Sequence, residues 1–545
     1  MVTLIRQTWG KLWEMHDEIK DAFRFFATGN PGSLATGTSV DVKADKKKTR
    51  PVKNRTVGQN IGLILGPVLF FIVLFGLSPE GMSKEALAVL ASTVWVATWW
   101  ITEAIPIPAT SLLPVILFPL TGAFEKVGEV TSAYGDPNIF LFLGGFVIAI
   151  AMEKWNLHRR IALNIILIVG TSTQRIVLGF MVATGFISMW ISNTATAMMM
   201  LPIAIAVIKH VSDLLEKQNL TLDDNFGKAI MLGIAYSGSI GGLGTLIGTP
   251  PNVIFASMVK ELFNYEISFA RWMAFGVPFA VLMIIFTWYY LVKVAFKVDM
   301  KNIPGGKEVI LDEKKKLGNM SFEEKIVLTV FTLTALSWIT RTFILNKFIP
   351  ALDDTIIAIT AAVVLFLLPA KNAKDGALLN WSDSKNLPWG VLLLFGGGLA
   401  IAKGFSETGL SQWIGERLNV LQGVNLLLVI FIVAALVLLL TEITSNTATA
   451  TMMFPIMASL AMALNVHPFG LMVAAGIAAS CAFMMPVATP PNAIVFGSGY
   501  IRINDMIRAG FWVNVVAVFV ITLLIYFYMP IAWNIDLHIL PEAFK

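Results

Sequence analysis

Again and again this chain runs through most of a bilayer's thickness with few charges or none. Ile61–Leu77, Leu87–Ile101, Ile139–Met152, Phe275–Val292, Ile326–Ile344, Ile356–Leu368, Leu426–Leu440 and Phe511–Tyr528 are such stretches. A segment of about 20 apolar residues, coiled as a helix, crosses the hydrocarbon core. The runs are continuous and do not alternate, which favours helices over a barrel. Apolar residues make up 56% of the chain and charged residues 14%, where an ordinary soluble domain carries about a quarter charged. The expected fold class is an all-α polytopic protein of the cell membrane.

Inside this apolar text three landmarks occur twice, in the same order. Phe142–Ala151 (FLGGFVIAIA) is answered by Leu394–Lys403 (LFGGGLAIAK). SNTATA stands at Ser192–Ala197 and again at Ser445–Ala450. IGTPPN at Ile247–Asn252 returns as VATPPN at Val487–Asn492. The chain therefore divides into two repeats, 85–297 and 323–535, each with five crossings and one hairpin-sized segment around its SNT. An odd number of crossings turns the second repeat upside down, the inverted repeat of many secondary transporters.

The repeated hexapeptide is polar where its surroundings are not. Unpaired hydroxyls and amides are costly to bury, and Asn and Ser favour helix starts over helix centres. A re-entrant hairpin broken at SNT exposes backbone amides and the positive end of the next helix, which suit an anion. The carbonyls of the preceding turn, with Ser and Thr hydroxyls, suit a hard cation such as sodium. Thr-Pro-Pro breaks its own helix in the same way. One SNT alone reads most simply as a polar bridge between helices. Two copies, each followed by TPPN, read as broken helices at a repeat interface.

With the doubled SNT and doubled TPP, the chain after residue 57 resembles the divalent anion/sodium symporters, and especially their bacterial dicarboxylate carriers of the Gram-positive sodium/dicarboxylate type. The resemblance implies about eleven transmembrane helices with two re-entrant hairpins, near 172–205 and 424–460, and a homodimer whose transport domain slides as an elevator. It implies a first sodium site at Ser188, Ser192, Asn193 and Gly248, and a second at Thr441, Ser445, Asn446 and Ala488. Substrate carboxylates would meet Asn193, Thr194, Thr249, Asn446, Thr447 and Pro490. The implied function is sodium-coupled symport of succinate, malate, fumarate or 2-oxoglutarate, with no covalent cofactor. Sodium-independent exchange on the same fold is the alternative, and an anion channel a more distant one.

The rest of the chain frames these repeats. Residues 1–27 read as an amphipathic helix lying on the membrane, 28–57 as a basic linker, and 58–84 as a first transmembrane helix. Residues 298–322 form a lysine-rich loop and 536–545 a tail. The net charge of +5 is concentrated in Val42–Arg55 and Lys293–Lys325. Basic loops stay cytoplasmic, so the N-terminus and the 298–322 loop are expected inside, and nucleic-acid binding is disfavoured. The charged N-terminus does not read as a cleavable signal. The lone Cys481 leaves no internal disulfide.

Enzymatic signatures are missing from the sequence. It holds no HExxH, no phosphate loop and no cluster of Cys and His. Glu103 and Glu442 are intramembrane acids, functional candidates by default. A carboxylate at an anion site repels its substrate, so both are expected to hydrogen-bond broken backbone, with Glu442 tuning the second cation site. Glu153, Lys154, His158, Arg159 and Arg160 mark the water-facing end of the first Gly-Gly helix, before an amphipathic arm. Lys403, Glu407, Glu416 and Arg417 mark the equivalent place in the second repeat.

Overall fold

The structure, a computed structural model, describes residues 56–170, 172–216, 224–298, 306–373, 375–418 and 423–544. The surface helix expected at 1–27, and almost all of the linker at 28–57, lie outside the described residues. Those described are helical, and their only β pairing is a bridge between Pro369 and Ala377.

After α1 (Val57–Gly76) the same order of elements occurs twice. In the first half come α2 (Lys84–Thr102), α3 (Leu113–Thr121), α4 (Pro137–Lys154), α5 (Leu157–Val169), α6 (Thr173–Ser188), α7 (Asn193–Glu216), α8 (Asp224–Gly242), α9 (Pro250–Phe263) and α10 (Phe269–Tyr289). After α11 (Gly306–Lys316) come α12 (Phe322–Thr340), α13 (Asp354–Leu367), α14 (Trp389–Glu407), α15 (Leu410–Leu418), α16 (Leu426–Thr441), α17 (Asn446–Ala463), α18 (Pro468–Ala479), α19 (Pro490–Phe496) and α20 (Ile503–Leu523). Helix α10 runs on into a π-turn at Tyr290–Ala295, and α20 into one at Leu524–Tyr528.

Among the described residues eight helices are long and apolar enough to cross a membrane. The broken helices are shorter. α6 and α16 have 16 residues each and α18 has 12. At 1.5 Å per residue even 16 residues reach only about 24 Å, less than the roughly 30 Å of a hydrocarbon core. Helices of this length are too short to cross a core of that thickness on their own, and wherever they end away from water their last carbonyls and the next helix's first amides need partners.

The helix starts show where those partners are local. Ser83, Ser268, Ser321, Asp353 and Asn425 each accept a hydrogen bond from a first-turn N–H of the helix they precede. Ser445 and Thr249, at the internal breaks, make no such bond. Capping is worth about 1 kcal/mol, and at these two starts it is forgone.

The Gly-Gly helices cross between halves. A Cβ on Gly144 of α4 would stand 2.7 Å from the Ala358 backbone of α13. One on Gly397 of α14 would stand 2.4 Å from the Ser111 carbonyl oxygen. The rings of Phe142 and Phe395, 5.1 Å apart, join α4 to α14 directly. Each half thus covers the glycine face of the other. At the end of α4, Lys154 pairs with Asp383 at 2.8 Å. The arm α5 is tied down by Arg159 to Glu313 of α11 at 2.5 Å and by Arg160 to Glu324 of α12 at 2.8 Å. Lys316 and Arg159 beside Glu313 hold its carboxyl below the usual carboxylate range.

Candidate functional site

Helix α6 ends at Ser188 and α7 begins at Asn193, the SNT asparagine. The buried Ser188 hydroxyl lies against Asn193 Oδ1 and 2.6 Å from the Gly238 carbonyl oxygen of α8. The second half builds the same group from different letters. Thr441 ends α16, and its Oγ1 lies 2.7 Å from Asn446 Oδ1 and 2.7 Å from the Ala479 carbonyl oxygen. A hydroxyl has one proton and can satisfy one of its two acceptors. Each group is therefore three oxygens sharing a single proton, the hydroxyl and carbonyl buried and the asparagine half-buried at the cavity. Oxygen-rich, proton-poor clusters of this kind suit a hard cation, and unwound backbone at repeat interfaces supplies such ligands to sodium in transporters. Among the described residues no group of three His, Cys, Asp or Glu could hold a metal ion. Any cation held here is bound by hydroxyl, amide and backbone oxygens.

The TPPN loops close against these clusters. Asn252 Nδ2 donates to the carbonyl oxygens of Gly242 (3.1 Å) and Thr245 (2.7 Å). Asn492 Nδ2 donates to those of Ala482 and Met485, both at 3.1 Å. Each asparagine reaches back across its own break and fixes the loop between α8 and α9, or α18 and α19. The loops differ in how they are packed. In the first, a Cβ on Gly248 would meet the Gly242 carbonyl oxygen at 2.3 Å, so backbone touches backbone and only glycine fits. In the second, Ala488 and Ala482 take the matching positions, and a carboxylate supports the chain. Glu442, buried, accepts from the backbone N–H groups of Phe483 (2.8 Å), Met484 (2.9 Å) and Met485 (3.1 Å) and from Asn514 Nδ2 (2.6 Å). The first half has Met189 where the second has Glu442.

All four breaks face one cavity of about 750 Å³. Its lining includes Ser192, Asn193, Thr194, Gly248, Thr249, Ser445, Asn446, Thr447, Ala488 and Pro490. Of the residues the family resemblance singles out, only Ser188 and Thr441 stay out of the lining, in the layer behind their asparagines. The starts of α7, α9 and α17 lie at this cavity with their positive ends. With Ser445 not capping, first-turn amides at the start of α17 stay open to a ligand. Among the described residues no Lys, Arg or His lines the cavity, and the one charged residue in the lining is Glu103.

Glu103 departs from the expectation of a backbone-bonded acid. It adopts a left-handed conformation, φ 48°, and its exposed side chain lines the cavity. Glu442 meets the expectation. Sequence reasoning passed over Asn252, Asn492 and Asn514. The first two were legible as the last letter of TPPN, repeated with the rest of the motif, while Asn514 carries no local signal.

Residues 58–534 match the family model described as the sodium:sulfate symporter transmembrane region. The chain is 51% identical over 513 residues to the sodium-dependent dicarboxylate transporter SdcS of Staphylococcus saprophyticus, covering 93% of this chain and 98% of that one. It is 52% identical over 495 residues to SdcS of Staphylococcus aureus, covering 90% and 95%. These relatives are transporters and not enzymes. Among solved structures, Neisseria gonorrhoeae MtrF, described with a class of antimetabolite efflux pumps, superposes with a TM-score of 0.52 at 13% identity, over 86% of this chain and 94% of that one. At that identity the likeness is one of fold.

Proposed function

The chain belongs to the sodium:sulfate symporter family, and on that footing we propose that it carries C4 and C5 dicarboxylates, such as succinate, malate, fumarate and 2-oxoglutarate, into the cell with sodium. The observation that carries this reading is the pair of oxygen clusters behind a cavity whose lining, among the described residues, has no cationic side chain. A dianion there meets only partial positive charge from helix ends. Sodium at the two clusters supplies the rest. Asn193 and Asn446 link the two solutes, each offering Oδ1 to the cation and Nδ2 to a carboxylate, with Thr194, Thr447, Thr249 and the backbone at Pro490 completing the anion's contacts. Ser192, Gly248, Ser445 and Ala488 complete the cation shells.

In this reading the halves are inverted repeats. The short helices α6–α7 and α16–α17 form re-entrant hairpins, and about eleven helices cross the membrane. The hairpins and broken helices move together as an elevator within a homodimer, with the N-terminus cytoplasmic. The two SdcS relatives, named as sodium-dependent dicarboxylate transporters, support sodium coupling over exchange. The test is labelled succinate uptake into proteoliposomes, with and without internal dicarboxylate, at zero and high external sodium. Uptake driven by inward sodium without internal substrate is expected. Uptake that needs internal substrate and ignores sodium overturns the symport reading in favour of exchange.

A further inference from the structure

A second polar cavity, of about 600 Å³, opens far along the chain from the SNT clusters, between the end of α10 and the start of α20. Its wall combines Arg508 and Tyr290 with Phe286, Val294, Trp512 and Val516. Three observations set it apart from ordinary lipid-facing surface. Arg508 is exposed into it and has no ion pair or hydrogen bond with any described residue. The acid in the wall, Asp505, is already engaged by Lys228 at 3.2 Å. The cavity also lies where α10 widens into its π-turn at Tyr290–Ala295, a distortion frequent at functional sites. The Tyr290 ring, stacked on Phe286 with 5° between planes, shares the cavity wall with Arg508.

Depth in the membrane identifies the ligand chemistry. Ile503–Trp533 is a continuous span of 31 residues, about 46 Å at 1.5 Å per residue. A hydrocarbon core of about 30 Å leaves roughly 8 Å at each end, so Arg508, five residues inside, sits at headgroup level. Phe511 and Trp512, both about half exposed, occupy the next positions, as interfacial aromatics do. Val294 and Val516 continue the wall with apolar surface. A planar five-donor cation, a phenol and an aromatic-aliphatic trough are the complement of a phosphate carrying acyl chains.

We propose that this cavity binds the phosphate of an anionic phospholipid, held by Arg508 and the Tyr290 hydroxyl with an acyl chain along Phe286, Trp512 and Val516. Native mass spectrometry of detergent-purified protein tests it, with phosphatidylglycerol, phosphatidylcholine or inorganic phosphate added, for the wild type, Arg508→Gln and Tyr290→Phe. Phosphatidylglycerol should be retained by the wild type and lost roughly tenfold or more in Arg508→Gln, the effect of removing a hydrogen bond to a charged group. Tyr290→Phe should show a smaller loss, and phosphatidylcholine weak retention throughout. Equal retention of phosphatidylglycerol by wild type and Arg508→Gln overturns the proposal. So does retention of inorganic phosphate alone with no preference for the lipid, which would make this a free-phosphate site. Sodium-driven uptake by Arg508→Gln in zwitterionic liposomes is expected to match wild type, which separates a lost lipid site from a misfolded variant.

Discussion

Thr441 Oγ1 lies 2.7 Å from Asn446 Oδ1, and the partners stand five positions apart, as do Ser188 and Asn193. Helix α16 thus ends on the hydroxyl that meets the amide beginning α17. Thr441→Val keeps the volume and removes one oxygen from the cluster. The expected result is a sodium half-saturation raised about tenfold, with substrate affinity recovering at saturating sodium. Sodium-titrated uptake measures this, and an unchanged sodium curve would remove Thr441 from the cation site.

Replacing Asn193 or Asn446 by Ala removes both the oxygen and the nitrogen that the proposed function assigns to sodium and to a carboxylate. A hydrogen bond to a charged group is worth roughly 1.5–3 kcal/mol, so succinate affinity should fall about ten- to hundredfold even where sodium saturates. Binding of labelled succinate to purified protein reads this directly. Wild-type affinity in both variants would dismiss the SNT assignment.

Glu442 offers a test of the asymmetry between halves. In Glu442→Gln a donor amide faces backbone N–H groups that now bond to the carboxylate. A buried group left unsatisfied costs about 1–3 kcal/mol. The melting temperature should drop, and sodium should stabilise the variant less than it stabilises the wild type. A variant with wild-type melting and wild-type sodium stabilisation would show that Glu442 only fills space.

His467 begins α18 and accepts a hydrogen bond from the Phe469 N–H. Burial, with Arg271 nearby, pushes its pKa down to about 4. The unfolded side chain titrates near 6.5, so below that pH the unfolded state takes up a proton that the folded state refuses. This contribution to stability is complete above about pH 6.5 and is lost as pH falls toward 4, reaching roughly 3 kcal/mol. Melting curves from pH 7.5 to 4 should show a decline on the acid side that His467→Gln flattens.

Deleting Met1–Asn54 should leave sodium-driven succinate uptake within about twofold of wild type. The described residues of the site run from Thr56 to Pro491, all of which the deletion leaves in place. Abolished uptake in a truncated protein with wild-type melting would give the N-terminal segment a direct part in transport.

Much of this was legible before any coordinates. The apolar runs announce helices, and the double SNT and TPPN announce where those helices break, because polar letters and prolines in lipid have few other uses. What stayed hidden depends on distance across the fold. Glu442 reaches loop residues some 41 positions away and Asn514 at 72, separations that no local pattern encodes. Glu103 reads like a second Glu442, yet its helix ends in a left-handed turn that sends it to the cavity. Composition could not distinguish the two acids, because their difference lies in which backbone comes near them.

The crossed packing of the Gly-Gly helices has a consequence for how the protein is made. While a ribosome has delivered only the first half, Gly144 of α4 has no Ala358 to lie against, and Ser111 waits for Gly397. The first half cannot complete its packing during its own synthesis. The earlier half must be kept in the bilayer, by lipid or by the insertion machinery, until Ala358 and Gly397, about 60 and 100 residues past its end at Lys297, emerge and the two halves clasp one another.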